Sequence, residues 1–233
     1  MTTKKKGNNN GNGNGASEVE KPPAVVISPP HQFMAAFLIE GTVPYVQNRF
    51  SAKARAEMKA TQEAGSTSQS KKKRPPKDFN ANFIAATHRD AAGNFGIPAS
   101  GIRQGMISAC KVAGFVMTRA RIGFLVEADS FDEEDGQPLV HITKGEPDYH
   151  EAYVRNDHGS TDIRARPMWH PGWQAVVRIK YDADVFVMED IANLLMRVGV
   201  QVGIGEGRPD SKKSAGMGWG LFKLVEAHLI GEV

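Results

Sequence analysis

A single cysteine, Cys110, stands in 233 residues. One thiol excludes an intramolecular disulfide framework and suits a reducing cytosol. Long apolar runs are missing too. Nothing approaches the roughly 20 residues of a membrane span, and Met1 to Gly15 carries lysines without the apolar stretch of a signal peptide. Both common nucleotide fingerprints fail on spacing: after Gly203 and Gly205 the dinucleotide motif needs glycine where Arg208 stands, and no Gly-Lys-Ser/Thr follows a four-residue spacer. Metal-ligand spacing is absent as well. His141, His150, His158 and His170 lie near Asp148, Asp157 and Asp162, but no pair has helix-face spacing and no cysteine accompanies them. They read as exposed loop histidines, and neither metal nor cofactor is expected. No internal repeat organises the chain.

What is present is a modest apolar fraction, 40%, enough for one real core. The formal charge is only +3, unevenly spread. Between Glu127 and Glu151 nine acidic residues face one basic residue, which leaves 28 basic against 17 acidic elsewhere. A basic body with one acidic excursion fits a polyanionic partner, and it fits ordinary solubility equally.

In chain order, residues 1–30 are Lys-, Asn-, Gly- and then Pro-rich and read as a disordered tail, leaving 31–233 as a single domain. Residues 33–40 form a buried strand stopped by Gly41 and Pro44. Ser51 caps a helix that carries Lys53. Residues 64–77 make a mobile basic loop ending in Lys71, Lys72, Lys73 and Arg74, read either as solvated or as a phosphate contact. Asp78 to His88 is a short amphipathic helix. Ser100 is expected to cap the helix 100–112, whose stripe of Ile102, Met106, Ala109 and Cys110 faces the core; Arg103 in its first turn makes that end suited to an anion. Phe115 to Ala128 alternates like a long strand, and Trp173 to Tyr181 does the same. Between them, 129–172 is a long insert with short β-like pieces and the grouping Arg155, Arg164, Arg166, Trp169, guanidiniums beside a stacking ring. Asp184 to Val198 is an amphipathic helix, followed by a strand at 200–204 continued at 219–225. Without the inserts the order is βαββαβ, which makes the fold α+β: a ferredoxin-like (RRM-like) antiparallel sheet backed by two helices.

Between those last two stretches lies a glycine-rich loop carrying Arg208, Lys212 and Lys213. Glycine density lets a foreign backbone such as a phosphate chain come close, and the cations attract it. The competing reading is a surface hairpin with solvated lysines.

Two motifs carry a resemblance. Ile97-Pro98-Ala99-Ser100-Gly101-Ile102-Arg103-Gln104-Gly105-Met106 resembles the turn-helix of the RAMP superfamily, which includes the Cas7-type backbone subunits of CRISPR effector complexes; Gln104 stands where that family has glycine. Gly203 to Gly220 resembles its C-terminal loop, though longer between Gly207 and Gly216. Arg49-Phe50-Ser51-Ala52-Lys53-Ala54 and Val202-Gly203-Ile204-Gly205-Glu206 also resemble a group of phage and prophage proteins. The resemblance implies a Cas7-like, non-catalytic, cytoplasmic subunit in a bacterial host. It would hold single-stranded nucleic acid, RNA before DNA, by its backbone and stack head to tail with copies of itself and with other effector or recombination subunits. The 129–172 insert would be the thumb that splays bases. Arg49, Lys53, Lys71, Lys72, Lys73, Arg74, Ser100, Arg103, Arg155, Arg164, Arg166, Trp169, Arg208, Lys212 and Lys213 are the expected contacts, and Asp132-Glu133-Glu134-Asp135 reads as a solvated acidic loop before a surface that steers the basic face of a neighbour. The alternatives are a phage single-strand DNA-binding or annealing protein, an endoribonuclease working through His31, Asp157 or Asp162, and a structural phage protein whose basic face binds only a protein partner.

Overall fold

A computed structural model describes residues 2, 28–63, 76–155, 161–211 and 216–233, apart from the side chains of Lys53, Thr61, Val154 and Arg155. Strand β1 (Gln32–Gly41) sits near the middle of the main sheet because its alternate residues Ala35, Phe37 and Ile39 are fully buried on one face. It pairs antiparallel with β9 (Gln174–Asp182), whose Ala175, Val177 and Ile179 share that face, and with β10 (Phe222–Glu232) on its other side. The far side of β9 is shared by β4 (Phe124–Val126) and by β6 (Pro138–Lys144), and β6 also pairs with β3 (Gly96–Pro98) and β5 (Ser130–Phe131). A second sheet runs β2 (Tyr45–Val46), β8 (Thr161–Trp169), β7 (Asp148–Arg155). Among the described residues no helix is long and apolar enough to cross a membrane.

Helices α3 (Ala99–Val112) and α5 (Met188–Arg197) cover the buried face of the main sheet. The expected stripe of α3 is buried, and Gly105 belongs to it: a Cβ there would lie 3.0 Å from Val198 Cγ1, so the two helices meet at van der Waals distance. Gln104 points to solvent. The helix ends in a glycine-terminated cap: Gly114 has φ +73°, its N–H reaches Lys111 O, and Phe115 N–H reaches Cys110 O at 2.9 Å. Helix α1 (Ala52–Glu63) is capped by Ser51, whose Oγ accepts from Ala54 N, and α2 (Phe79–Ala86) by Asp78, which accepts from Ala81 N. An aromatic cluster joins the two sheets. Tyr45 lies 5.5 Å from Trp169 and 5.4 Å from Trp173, and Trp173 lies 6.2 Å from Phe222. Each such fully buried side chain contributes about 1.5–3 kcal/mol from burial.

Four expectations are corrected. The supposed strand 115–128 is helix α4 (Met117–Gly123) followed by the short β4. Helical spacing lets Ala120 and Gly123 face inward together, with Gly123 so close to Phe186 that a Cβ would sit 2.6 Å from its ring, while Val116 and Ile122 of the apparent alternation are left exposed. The supposed strand 200–204 is a π-helical continuation of α5 over Val198–Val202, closed by Gly203 N–H to Val198 O at 2.7 Å. Val198 and Val202 pack on α3 there, and Gly199 passes Phe222 O where a Cβ would lie 2.2 Å away. Ser100 is not a cap: α3 starts at Ala99 after Pro98, with no side-chain cap, and Ser100 is an exposed first-turn residue. The β-like pieces of the insert 129–172 are not isolated short ones, since the insert supplies β5, β6 and the β7–β8 hairpin.

Candidate nucleic-acid interface

The glycine loop is sewn to the body at its base. Ile204 N–H bonds Gly220 O at 3.0 Å, Gly220 N–H bonds Pro44 O at 2.7 Å, and Glu206 N–H bonds Val46 O at 2.9 Å. All six glycines from Gly203 to Gly220 have positive φ, but they serve two purposes. At Gly205 and Gly220 a Cβ would lie 2.4 Å from Val46 O and 1.8 Å from Ile204 O. The close approach is therefore to the chain's own backbone, and this corrects the reading of those glycines as room for a foreign one. At Gly218 there is open space within 4 Å. Lys212 and Lys213 lie in the segment 212–215, outside the described residues.

The hairpin stands beside this loop. Its register pairs His150 with Arg166 and Ala152 with Arg164, so His150, Arg164 and Arg166 project from one face. The loop meets that face twice: Arg166 Nε donates to Glu206, and Trp219 sits edge-to-face on His150 at 5.6 Å. Trp219 is half-buried, with its ring across Gly207. Arg208 is half-buried and donates to Gly205 O at 3.0 Å. On the opposite hairpin face Tyr149 packs on Phe83 of α2, and Tyr153 is 72% exposed. A third basic stretch arrives at the hairpin through Lys77, which donates to Asp162 and to Ile163 O. That contact lies three residues after Arg74, the end of the Lys71, Lys72, Lys73, Arg74 run, which is itself outside the described residues.

Other expected contacts are spent inside the fold. Trp169 has no exposed surface, so it offers no face to a base; Trp219 is the half-buried ring that sequence reasoning missed. Its signal was available, because an aromatic between Gly218 and Gly220 makes a poor core strand residue. Arg49 is buried: Nη1 donates to Asp132 Oδ1 at 3.1 Å, Nε donates to Ala85 O, and Nη2 lies 3.0 Å from Glu134 Oε1. Arg103 donates to Phe124 O and to Arg121 O at the end of α4, where a cation complements the helix dipole. Arg166 is nearly buried, whereas Arg164 lies 3.6 Å from Asp162 and keeps 39% of its side chain exposed. The side chains of Lys53 and Arg155 are outside the described residues. The acidic run also turns inward, since Asp132 and Glu134 hold Arg49 and Glu133 holds Arg89, so it is not free to steer a neighbour.

Around Asp132 lies a buried polar network. His88 Nδ1 is 2.9 Å from Asp132 Oδ2, and the backbone N–H groups of Glu134 and Asp135 donate to Oδ1. His88, Asp132 and Asp135 lie close enough together to suggest a metal. Asp132 already accepts from four groups, one of them a guanidinium, so a cation there would meet a positive neighbour and a carboxylate whose oxygens both have hydrogen-bond partners. Ser130, His141 and Asp90 mimic a catalytic triad, but Ser130 Oγ and Asp90 Oδ2 both contact Nε2 of His141, and a proton relay needs opposite ring nitrogens. Of the expected catalytic positions, His31 is paired with Asp184, Asp157 is outside the described residues, and Lys77 holds the Asp162 carboxyl below the ordinary range, which suits neither an acid nor a base at neutral pH.

This network sets a pH dependence. Burial outweighs the Asp132 hydrogen bond and keeps the His88 imidazole below its ordinary value of 6.5. The unfolded chain therefore gains this proton first, and stability present above that value is lost as pH falls through it. Burial raises the Asp132 carboxyl, but the Glu134 N–H, His88, the Asp135 N–H and Arg49 more than offset it; Asp90 is lowered by Asn94. Their stabilisation is present above the ordinary value of 3.8 and is lost as pH falls below it. Urea unfolding at a series of pH values is expected to show two declines, one below the imidazole value and a second below the carboxylate value, with the first absent in His88→Gln.

No family model matches the chain, and no curated protein does. Among solved structures it is similar to a chain in the cryo-EM structure of the Type III-B Cmr-beta bound to cognate target RNA, at 15% identity and a TM-score of 0.48. The match covers 86% of this chain and 61% of that one, so the chain spans about three fifths of the length of that solved chain.

Proposed function

We propose that this protein is a non-catalytic binder of single-stranded nucleic acid, RNA before DNA, that grips the sugar-phosphate backbone on a Cas7-like, ferredoxin-like scaffold and stacks head to tail with copies of itself. The strand order β10-β1-β9-β4, antiparallel throughout with α3 and α5 on one face, supports the scaffold part of this reading. One observation carries the binding part: basic stretches far apart in sequence converge on the β7–β8 hairpin. These are the glycine loop, which Arg166 and Trp219 fasten to the hairpin, the hairpin's own part-exposed Arg164, and the chain leaving Arg74 at Lys77. Cations so gathered neutralise phosphates without reading sequence, and Trp219 supplies a half-open ring for a base.

Fluorescence anisotropy with labelled single-stranded RNA and DNA, titrated with salt, tests this. The wild type is expected to bind with a steep negative salt slope. The variant R208A/K212A/K213A should lose about 2 from that slope, at roughly 0.7 per phosphate contact on single strands. Trp219→Ala should weaken binding by about 1–3 kcal/mol. Absence of binding at low salt would sink the reading, a preference for DNA would move it to single-strand annealing, and a cut product would make the protein a nuclease.

A further inference from the structure

One edge of the main sheet is open. β10 ends the strand order β10-β1-β9, and among the described residues no strand lies on its far side. At 11 residues it is the longest strand among them, it contains no proline, and Val225, Leu229 and Ile230 stand exposed along it. A long edge of unpaired N–H and C=O groups with apolar side chains is a template for another strand. β1 leaves Val225 and Ile230 out of its ladder, so β10 runs regularly only over Glu226–Leu229 and bends at either end. An incoming strand therefore meets a short window.

That window matches itself. Read outward from Ala227, Glu226 answers His228 and Val225 answers Leu229: a carboxylate against an imidazole, an aliphatic against an aliphatic. A two-fold axis normal to a sheet keeps every side chain on its own face, so a strand paired with its own copy must be centred on one residue. Centred on Ala227, two copies set Glu226 against His228 twice and Val225 against Leu229 twice, with the small Ala227 pair on the axis. A centre at Glu226 would bring two carboxylates face to face, and a centre at Leu229 would set Glu226 against Glu232. A centre at His228 would oppose two imidazoles and leave Glu226 facing Ile230. Within one chain Glu226 and His228 already lie 2.9 Å apart, exposed on the face away from α3 and α5, beside Leu38 and Ala36 of β1. A second copy closes them into a cluster of four.

We infer that two copies of this protein join edge to edge through β10, antiparallel about Ala227, so that their main sheets form one continuous sheet. The contact is isologous, unlike head-to-tail stacking, and it holds whether or not nucleic acid binds. Cα atoms across an antiparallel pair lie about 4.5–5.5 Å apart, within disulfide reach. Full-length A227C under mild oxidation is therefore expected to give a dimer band on a non-reducing gel, which a head-to-tail contact cannot produce because it never sets a residue against itself. K223C, whose own copy lies about 26 Å along the strand, is expected to stay monomeric. No A227C dimer, or equal crosslinking of the two variants, would overturn the inference. In sedimentation velocity without added cysteines, H228E sets carboxylates opposite each other at both places and should weaken the dimer about tenfold. The exchanged variant E226H/H228E restores the pairing and should restore the dimer; a double variant no better than H228E would overturn the register.

Discussion

Replacing Arg49 with methionine is expected to lower the unfolding free energy by about 3–5 kcal/mol, the cost of stranding a buried charge. The side chains of Arg49 and Asp132 are both 0% exposed, so the Asp132 carboxylate left behind keeps its backbone donors but loses the cation that neutralises it. Arg49 also ties distant pieces together, since it accepts no substitute for its bonds to Ala85 O at the end of α2 and to the 132–134 turn. At about 2–4 °C per kcal/mol for a domain of this size, the melting midpoint should fall by roughly 6–20 °C. Lys59→Met is the control. Its pair with Glu63 is 3.8 Å long and exposed, and its loss should cost under about 1 kcal/mol. Urea unfolding at neutral pH decides the matter: equal losses in the two variants would mean that the buried network does not hold the fold.

The second large effect is expected at Gly220. Its φ of +72° costs an L-residue about 1–2 kcal/mol. An added Cβ would also lie 1.8 Å from Ile204 O, so the loop base must shift and break its bonds to Ile204 and Pro44. With about 1 kcal/mol for each net hydrogen bond lost, Gly220→Ala should cost roughly 3–4 kcal/mol. Because the shift carries Trp219 and Arg208 away from the hairpin, it should weaken nucleic-acid binding as well. Gly218→Ala keeps the backbone cost, with φ +77°, but meets no atom within 4 Å, and should leave binding intact. If the two variants behaved alike in anisotropy, the anchored loop base would have no part in the interface.

The elements that could be read from the chain are those whose local pattern and tertiary role agree. β1 and β9 alternate because one face is buried, and the α3 stripe recurs at helical spacing for the same reason. The misses occur where distant contacts decide. Residues 116–124 alternate like a strand, yet Phe186, more than sixty residues later, demands a small residue at Gly123, and a helix meets that demand. Val198–Val202 is rich in β-branched residues, yet packing on Gly105 winds it as a helix. For the candidate interface, the charged stretches were visible but their fates were not. Arg49 and Trp169 look like ligands in sequence, and only their burial shows otherwise, whereas Trp219 emerges from its contact with His150.

Cys110 sits on α3 with no exposed surface, and burial raises its thiol above the ordinary value. Reagents that attack thiolates reach it only when α3 leaves the sheet. As the sole sulfhydryl of the chain, it is a native stopwatch for opening of the core, with no label to introduce.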